Sequence, residues 1–120
     1  MSGVAHAAFE NEIECLERTR DLIDFLPLNW KTKSPIFETK DDRNREIKNL
    51  TDLVPTNSNH PYDMKTIIKT IVDENNFFEI MEDYAKNIIT GFARMEGQTV
   101  AIIANQTLEK AGKYEILIIR

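Results

Sequence analysis

The chain has 120 residues, 42% hydrophobic and 29% charged, which suits one small globular domain and is too short for two full ones. A formal net charge of -5 argues against a nucleic-acid surface, which needs a Lys and Arg surplus on one face, and no apolar run reaches the length of a membrane span. The single cysteine, Cys15, excludes an internal disulfide and fits a reducing compartment.

Residues 1–8 are small and apolar without periodicity, and they carry neither the basic region nor the apolar core of a signal peptide. The next stretch predicts a helix over 12–26. Asn11 caps it, Glu14 completes a capping box, and Ile13, Leu16, Ile23 and Leu26 recur at helical spacing. Glu12, Glu14 and Glu17 precede Arg18 and Arg20, the order that suits the helix dipole, and Pro27 stops the helix. Leu28 to Arg45 reads as a linker whose scattered Trp30, Ile36 and Phe37 follow no period. A loop of that length is uncommon inside a compact domain, so it is expected to join two structural units. Its aromatics are expected to anchor on a surface that this chain alone does not contain. Residues 46–53 predict a short helix ending before Pro55, with Ile47, Leu50 and Leu53 on one side.

After a polar, turn-rich stretch, Asp63 is placed to cap a helix over Met64–Val72. There Met64, Ile67, Ile68, Ile71 and Val72 form an apolar stripe. Asp73-Glu74-Asn75-Asn76 breaks it, and Phe77–Met81 is a strand candidate. Ile88–Met95 and Thr99–Ala104 then flank Glu96-Gly97, which predicts a β-hairpin with Gly97 at positive φ. Both runs are almost continuously apolar, so the sheet is expected to meet little solvent on either face. Tyr114 to Ile119 offers one more strand-like run.

These residues name no reaction. The sequence shows no ligand-spaced cluster for a metal, no Gly-rich phosphate loop, no Ser-His-Asp set and no carboxylate pair. His6 and Cys15 fall on different elements, so a nucleophile pair has no support, and Cys15 reads as a buried or half-buried helix residue. His60, before Pro61, reads as a turn residue. Three residues stand as weak candidates for cofactor binding. Arg94 is a charge in an apolar strand, either orienting an anion or a backbone carbonyl, or simply paired or edge-exposed. Asn105 and Gln106 end the returning strand, where ligand-facing groups and turn-capping groups are both found. Gly91 inside a strand signals a bulge or close backbone approach.

Several segments together resemble one family. They are Ser2-Gly3-Val4-Ala5-His6 with Phe9-Glu10-Asn11, Leu26-Pro27-Leu28, Leu53-Val54-Pro55, and Pro61-Tyr62-Asp63-Met64. Ile71-Val72-Asp73, Phe77-Phe78-Glu79-Ile80-Met81, Tyr84-Ala85-Lys86-Asn87-Ile88-Ile89, Gly91-Phe92-Ala93-Arg94-Met95 and Ala104-Asn105-Gln106 continue the series. In this order, from residue 2 to about Gly112, they resemble the propionyl-CoA carboxylase β-chain family of biotin-dependent acyl-CoA carboxyltransferases. The resemblance implies an α/β, partial crotonase-like (ClpP/crotonase) fold with an N-terminal helix, a linker, a second helix and a small β-sheet with a hairpin. It places 1–27 at the tail of a first crotonase-like half, 28–61 in the linker, and 62–120 at the start of a second half.

The family reaction moves a carboxyl group from carboxybiotin to the α-carbon of an acyl-CoA, leaning on backbone N–H groups in Gly-rich loops that stabilise enolate oxyanions. Those loops match no position in this sequence, so no catalytic residue is carried over, and the chain alone is expected to be inactive. The implied partners are a biotin-carrying α subunit, other β subunits and the acyl-CoA substrate, with no nucleic acid and no membrane. The implied location is the mitochondrial matrix in a eukaryote and the cytoplasm otherwise. Two departures stand out: Thr107 where the family has proline, and Leu117-Ile118-Ile119-Arg120 in place of small polar residues. The sequence therefore reads as part of a longer carboxyltransferase subunit. Its rival is a non-catalytic interaction module, or a degenerate remnant, that associates with the full-length subunit. Standing alone, such a chain is expected to expose apolar strand surface and to be marginally stable or self-associating.

Overall fold

The computed structural model describes residues 3–48, 50–57, 59–109 and 117–119. The hairpin organises them. Glu96 and Gly97 both have positive φ, 54° and 73°, the two-residue turn whose twist matches that of the strands it joins. Glycine adopts this conformation freely; Glu96 does not, and the Asp73 carboxylate holds the turn by accepting the Glu96 N–H at 3.2 Å and the Gly97 N–H at 2.7 Å. The turn sets the register of β2 (Ile88–Met95) against β3 (Gln98–Asn105), from Met95 opposite Gln98 to Ile88 opposite Asn105. Strand β1 (Phe77–Ile80) pairs with the free edge of β2, and β4 (Leu117–Ile119) with that of β3, giving an antiparallel sheet in the order β1-β2-β3-β4. Gly91 lies opposite Glu79, and a Cβ there would run into the Phe78 carbonyl and the Phe77 ring, so its role is close approach between strands.

The sheet is covered mainly on one face. There Ile89 and Ala93 of β2 and Val100, Ile102 and Ala104 of β3 pack against α3 (Met64–Ile71), through Met64, Ile67 and Ile68, and against Val72 beyond its end. Ile68 and Val72 are wholly buried. Burial alternates along β2, so the expectation of little solvent on either face fails. The reason is a thin second layer: among the described residues the opposite face is covered in part, by Phe25, its ring 6.1 Å from that of Phe78 and 6.0 Å from that of Phe92, and by Arg18 over Phe78, while Ile88 and Ile103 stay exposed.

Helix α1 (Glu12–Ile23) starts as the sequence predicts, the Asn11 side chain accepting the Glu14 N–H at 2.9 Å. The Glu14 carboxylate reaches back to the Glu10 N–H at 3.1 Å. The helix stops at Ile23, short of the predicted 26, and the two turns that follow carry Phe25 down into its buried place on the sheet. No residue of α1 is buried, and Cys15 is exposed rather than buried or half-buried, because the side of α1 that meets the sheet is occupied by Arg18 and Leu22.

Between α1 and α2 (Leu50–Leu53) the described residues form no helix or strand, yet they are tied down. The Phe37 N–H donates to the Gly97 carbonyl at 3.0 Å, and the Asp41 carboxylate accepts the Glu74 N–H at 2.6 Å. The Arg45 guanidinium donates to the Thr70 and Val72 carbonyls at the end of α3, at 2.8 and 2.9 Å. The linker is thus a strap over the hairpin tip. Of its hydrophobic side chains, Phe37 packs on this chain, against Arg94, whereas Trp30 and Ile36 are exposed. Helix α2 is shorter than predicted, with Ile47 outside it. The predicted last strand appears as β4 over 117–119, and residues 114–116 lie outside the described residues.

Candidate functional site

The candidate residues separate into two places. Asn105 and Gln106 close β3 beside the start of α3; Arg94 sits near the hairpin turn, opposite Thr99. Six residue steps of strand, about 20 Å, separate Thr99 from Asn105. They do not form one site.

At the first place the Met64 and Lys65 N–H groups of the opening turn of α3 are engaged by the chain itself. Asp63 caps the helix, its carboxylate accepting the Lys65 N–H at 3.0 Å and the Thr66 hydroxyl at 2.9 Å. The Gln106 amide completes the cap in both directions, accepting the Met64 N–H at 3.1 Å and donating to Asp63 Oδ1 at 2.7 Å. Next to it the Thr107 hydroxyl accepts the Tyr62 N–H at 2.9 Å and donates to the Tyr62 carbonyl at 2.6 Å. Burial alone would raise the Asp63 pKa. The hydrogen bonds from Gln106, Thr66 and the Lys65 N–H, together with the Lys65 charge, outweigh it and hold the carboxyl below its ordinary value of 3.8. Of the two roles open for Gln106, the geometry fits capping. Asn105 is also buried, and its Nδ2 has no partner among the described residues.

At the second place Arg94 donates to a backbone carbonyl, that of Asp24, at 3.0 Å. Its guanidinium lies over two rings, 4.4 Å from the centre of Phe25 and 4.0 Å from that of Phe37. One side chain of β2 therefore joins the end of α1 to the linker strap. Its Nε is buried without a partner among the described residues, beside a cavity of about 130 Å³ also lined by Asp73 and Glu74. Three acidic residues at that wall, Glu38, Asp73 and Glu74, oppose an anionic ligand.

No sequence signal marks the groove between the segment before α1 and the β1 edge. It holds a cavity of about 220 Å³ lined by small residues, including Ala5 and Ala7, and by His6, Arg18, Phe78 and Tyr84. The Met81 N–H donates to the His6 carbonyl at 2.8 Å, and Arg18 covers the Phe78 ring at 4.7 Å. Glu79 and Glu82, also in its wall, both pair with Lys65, at 2.7 and 3.0 Å. Burial would lower the Lys65 pKa; the two glutamates outweigh it and raise it above 10.5. These partners are 14 and 17 residues apart in the chain, so no local spacing announces them. Cys15 is exposed on α1 and does not line the His6 groove, and the His60 N–H closes a turn onto the Asn57 carbonyl at 3.0 Å. Among the described residues no three His, Cys, Asp or Glu side chains gather to hold a metal, and no helix is long and apolar enough to cross a membrane. Among the described residues the geometry at these places orients backbone and buries apolar surface.

Comparison with known proteins supplies the wider setting. Residues 1–116 match the model of the carboxyl transferase domain. The chain is 53% identical over 115 residues to the propionyl-CoA carboxylase beta chain of Roseobacter denitrificans, covering 96% of this chain and 22% of that one. It is 49% identical over 116 residues to the methylmalonyl-CoA decarboxylase subunit alpha of Veillonella parvula, covering 97% and 23%. Against the human mitochondrial propionyl-CoA carboxylase beta chain the identity is 47%, covering 97% and 22%. The chain thus spans about a fifth of the length of these relatives. Its backbone superposes on transcarboxylase 12S with a TM-score of 0.88 at 31% identity, over 93% of this chain and 22% of that one. The fold is the crotonase-like one in part, as expected from the sequence: helices against a small sheet with a hairpin.

Proposed function

Because the chain belongs to the carboxyl transferase domain family, we propose that it works as part of the carboxyltransferase (β) component of a biotin-dependent acyl-CoA carboxylase. In this reading a carboxyl group passes from carboxybiotin, carried by a partner subunit, to the α-carbon of an acyl-CoA of the propionyl-CoA type. The observation that carries it is the 53% identity to a propionyl-CoA carboxylase beta chain along nearly the whole of this sequence. Residues 1–27 then end one crotonase-like half, 28–61 link, and 62 onward open the second. The mitochondrial relatives support a matrix location in a eukaryote, with the cytoplasm as the bacterial counterpart.

At the start of α3 the Met64 and Lys65 N–H groups are taken by Gln106 and Asp63, so neither of these two is offered to a thioester oxyanion. What these residues contribute is support: the Gln106 cap and the Arg94 contacts hold α1, the strap, α3 and the sheet in one arrangement. A second reading, a non-catalytic module that associates with a full-length carboxyltransferase subunit, draws on the exposed apolar stripe of α1.

The test is bicarbonate fixation by the native protein. An antibody raised to residues 62–92 isolates it from its own cells, and labelled bicarbonate, ATP and propionyl-CoA are added. Avidin-sensitive fixation into an acyl-CoA is expected. A recovered protein that fixes no label on any short acyl-CoA overturns the carboxylase reading.

A further inference from the structure

Two stretches of unfavourable backbone lie side by side against the strap. Glu74 and Asn75, just past α3, have φ of 52° and 57°, and Glu96 at the hairpin tip has φ of 54°, a region that residues other than glycine rarely adopt. Carboxylates hold both stretches by their N–H groups. Asp41 of the strap accepts the Glu74 N–H, and Asp73 accepts those of Glu96 and Gly97. The strap crosses the tip so closely that a Cβ on Gly97 would collide with the Phe37 carbonyl.

The space beneath is poorly filled. Phe37, Glu38 and Thr39 of the strap roof the cavity of about 130 Å³, and Arg94, at its wall, has a buried Nε without a partner among the described residues. Lifting the strap would hydrate that Nε, remove the void and let Glu74 and Asn75 relax. A short set of contacts opposes this. Asp41 bonds the Glu74 N–H and lies 3.4 Å from Arg45, Arg45 bonds the Thr70 and Val72 carbonyls, and Phe37 bonds Gly97 through its N–H while its ring lies on Arg94. Among the described residues no part of 37–45 belongs to the apolar cluster between α3 and the sheet, so the strap can leave without opening that core.

We propose that residues 37–45 are a latch that lifts from the hairpin tip as a unit while α3 and the sheet stay folded. Asp41 holds it down, and lifting uncovers Arg94. The same guanidinium lies on Phe25 and donates to the Asp24 carbonyl, so the state of the latch reaches the end of α1.

Hydrogen–deuterium exchange of the native protein, resolved to single amides, tests this. The Phe37 N–H bonds the Gly97 carbonyl and not Asp41, yet in Asp41→Ala it is expected to exchange about tenfold faster or more, while the amides of Ile68, Val100 and Ile102 change less than about twofold. In Phe37→Ala the Glu74 N–H is expected to respond likewise, although its partner is Asp41. Asp41→Asn, which keeps an acceptor for Glu74, is expected to fall between the parent and Asp41→Ala. Phenylglyoxal, which labels accessible guanidinium groups, is expected to modify Arg94 several-fold faster in Asp41→Ala, with exposed Arg20 of α1 unchanged. Phe37 exchange that Asp41→Ala leaves unchanged overturns the latch, as does a rise shared equally by the three core amides. Faster exchange without faster labelling overturns its covering of Arg94.

Discussion

Replacing Gln106 by alanine tests the cap at the meeting of β3 and α3. Gln106 is 6% exposed and makes two bonds that no neighbour replaces in the structure. Removing the amide takes a donor from the Asp63 carboxylate, a bond of the kind worth about 1.5–3 kcal/mol, and strands the Met64 N–H, which costs about 1–3 kcal/mol. The two effects overlap, so a net loss of about 2–4 kcal/mol is expected, a large share of the roughly 5–15 kcal/mol that stabilises a typical domain. Urea unfolding at pH 7, followed by far-ultraviolet circular dichroism, measures it. Gln106→Glu sharpens the test: it keeps an acceptor for Met64 but sets a second carboxylate against Asp63, so its loss is expected to shrink below about pH 4 as one of the pair takes a proton. A Gln106→Ala protein within about 0.5 kcal/mol of the parent would refute the assignment of Gln106 as a cap.

The Asp63 carboxyl gives a pH dependence with a definite sign. Its folded pKa lies below 3.8, so its contribution is present above about pH 4 and is lost as pH falls through the folded value. Acid titration of the folded fraction is expected to show this loss, and Asp63→Asn, which still caps, is expected to flatten it; an unchanged acid limb would contradict the linkage. Arg94→Met is expected to cost about 2 kcal/mol, from the Asp24 carbonyl bond and the two ring contacts, and to speed amide hydrogen exchange across 24–40. Arg94→Lys is expected to recover only part of this, because an ammonium cannot stack as a plane between two rings. Full recovery by lysine would show that charge alone mattered.

Local chemistry wrote much of this fold into the sequence. Asn11 with Glu14, Asp63 before its apolar stripe, and Glu96-Gly97 between two β-branched runs each mark their element by residues close in the chain, and the structure has all three, the turn being held in addition by the distant Asp73. The segments from Ser2 to Gln106 that resembled the carboxyltransferases pointed to the family that residues 1–116 match. Other features depended on distant partners. Helical spacing identified the Ile13, Leu16 and Ile23 stripe but carried no sign of which way it would face. That was decided when Phe25 left the helix to cover Phe78 and Phe92. The apolar runs of the hairpin looked buried on both faces, yet α3 supplies one layer and Phe25 only a patch of the other. Arg94 and Gln106 kept two roles each in the sequence, since an arginine or an amide is defined by what it meets. Only the tertiary structure brings the Asp24 carbonyl to Arg94 from 70 residues away, and the Met64 N–H to Gln106 from 42.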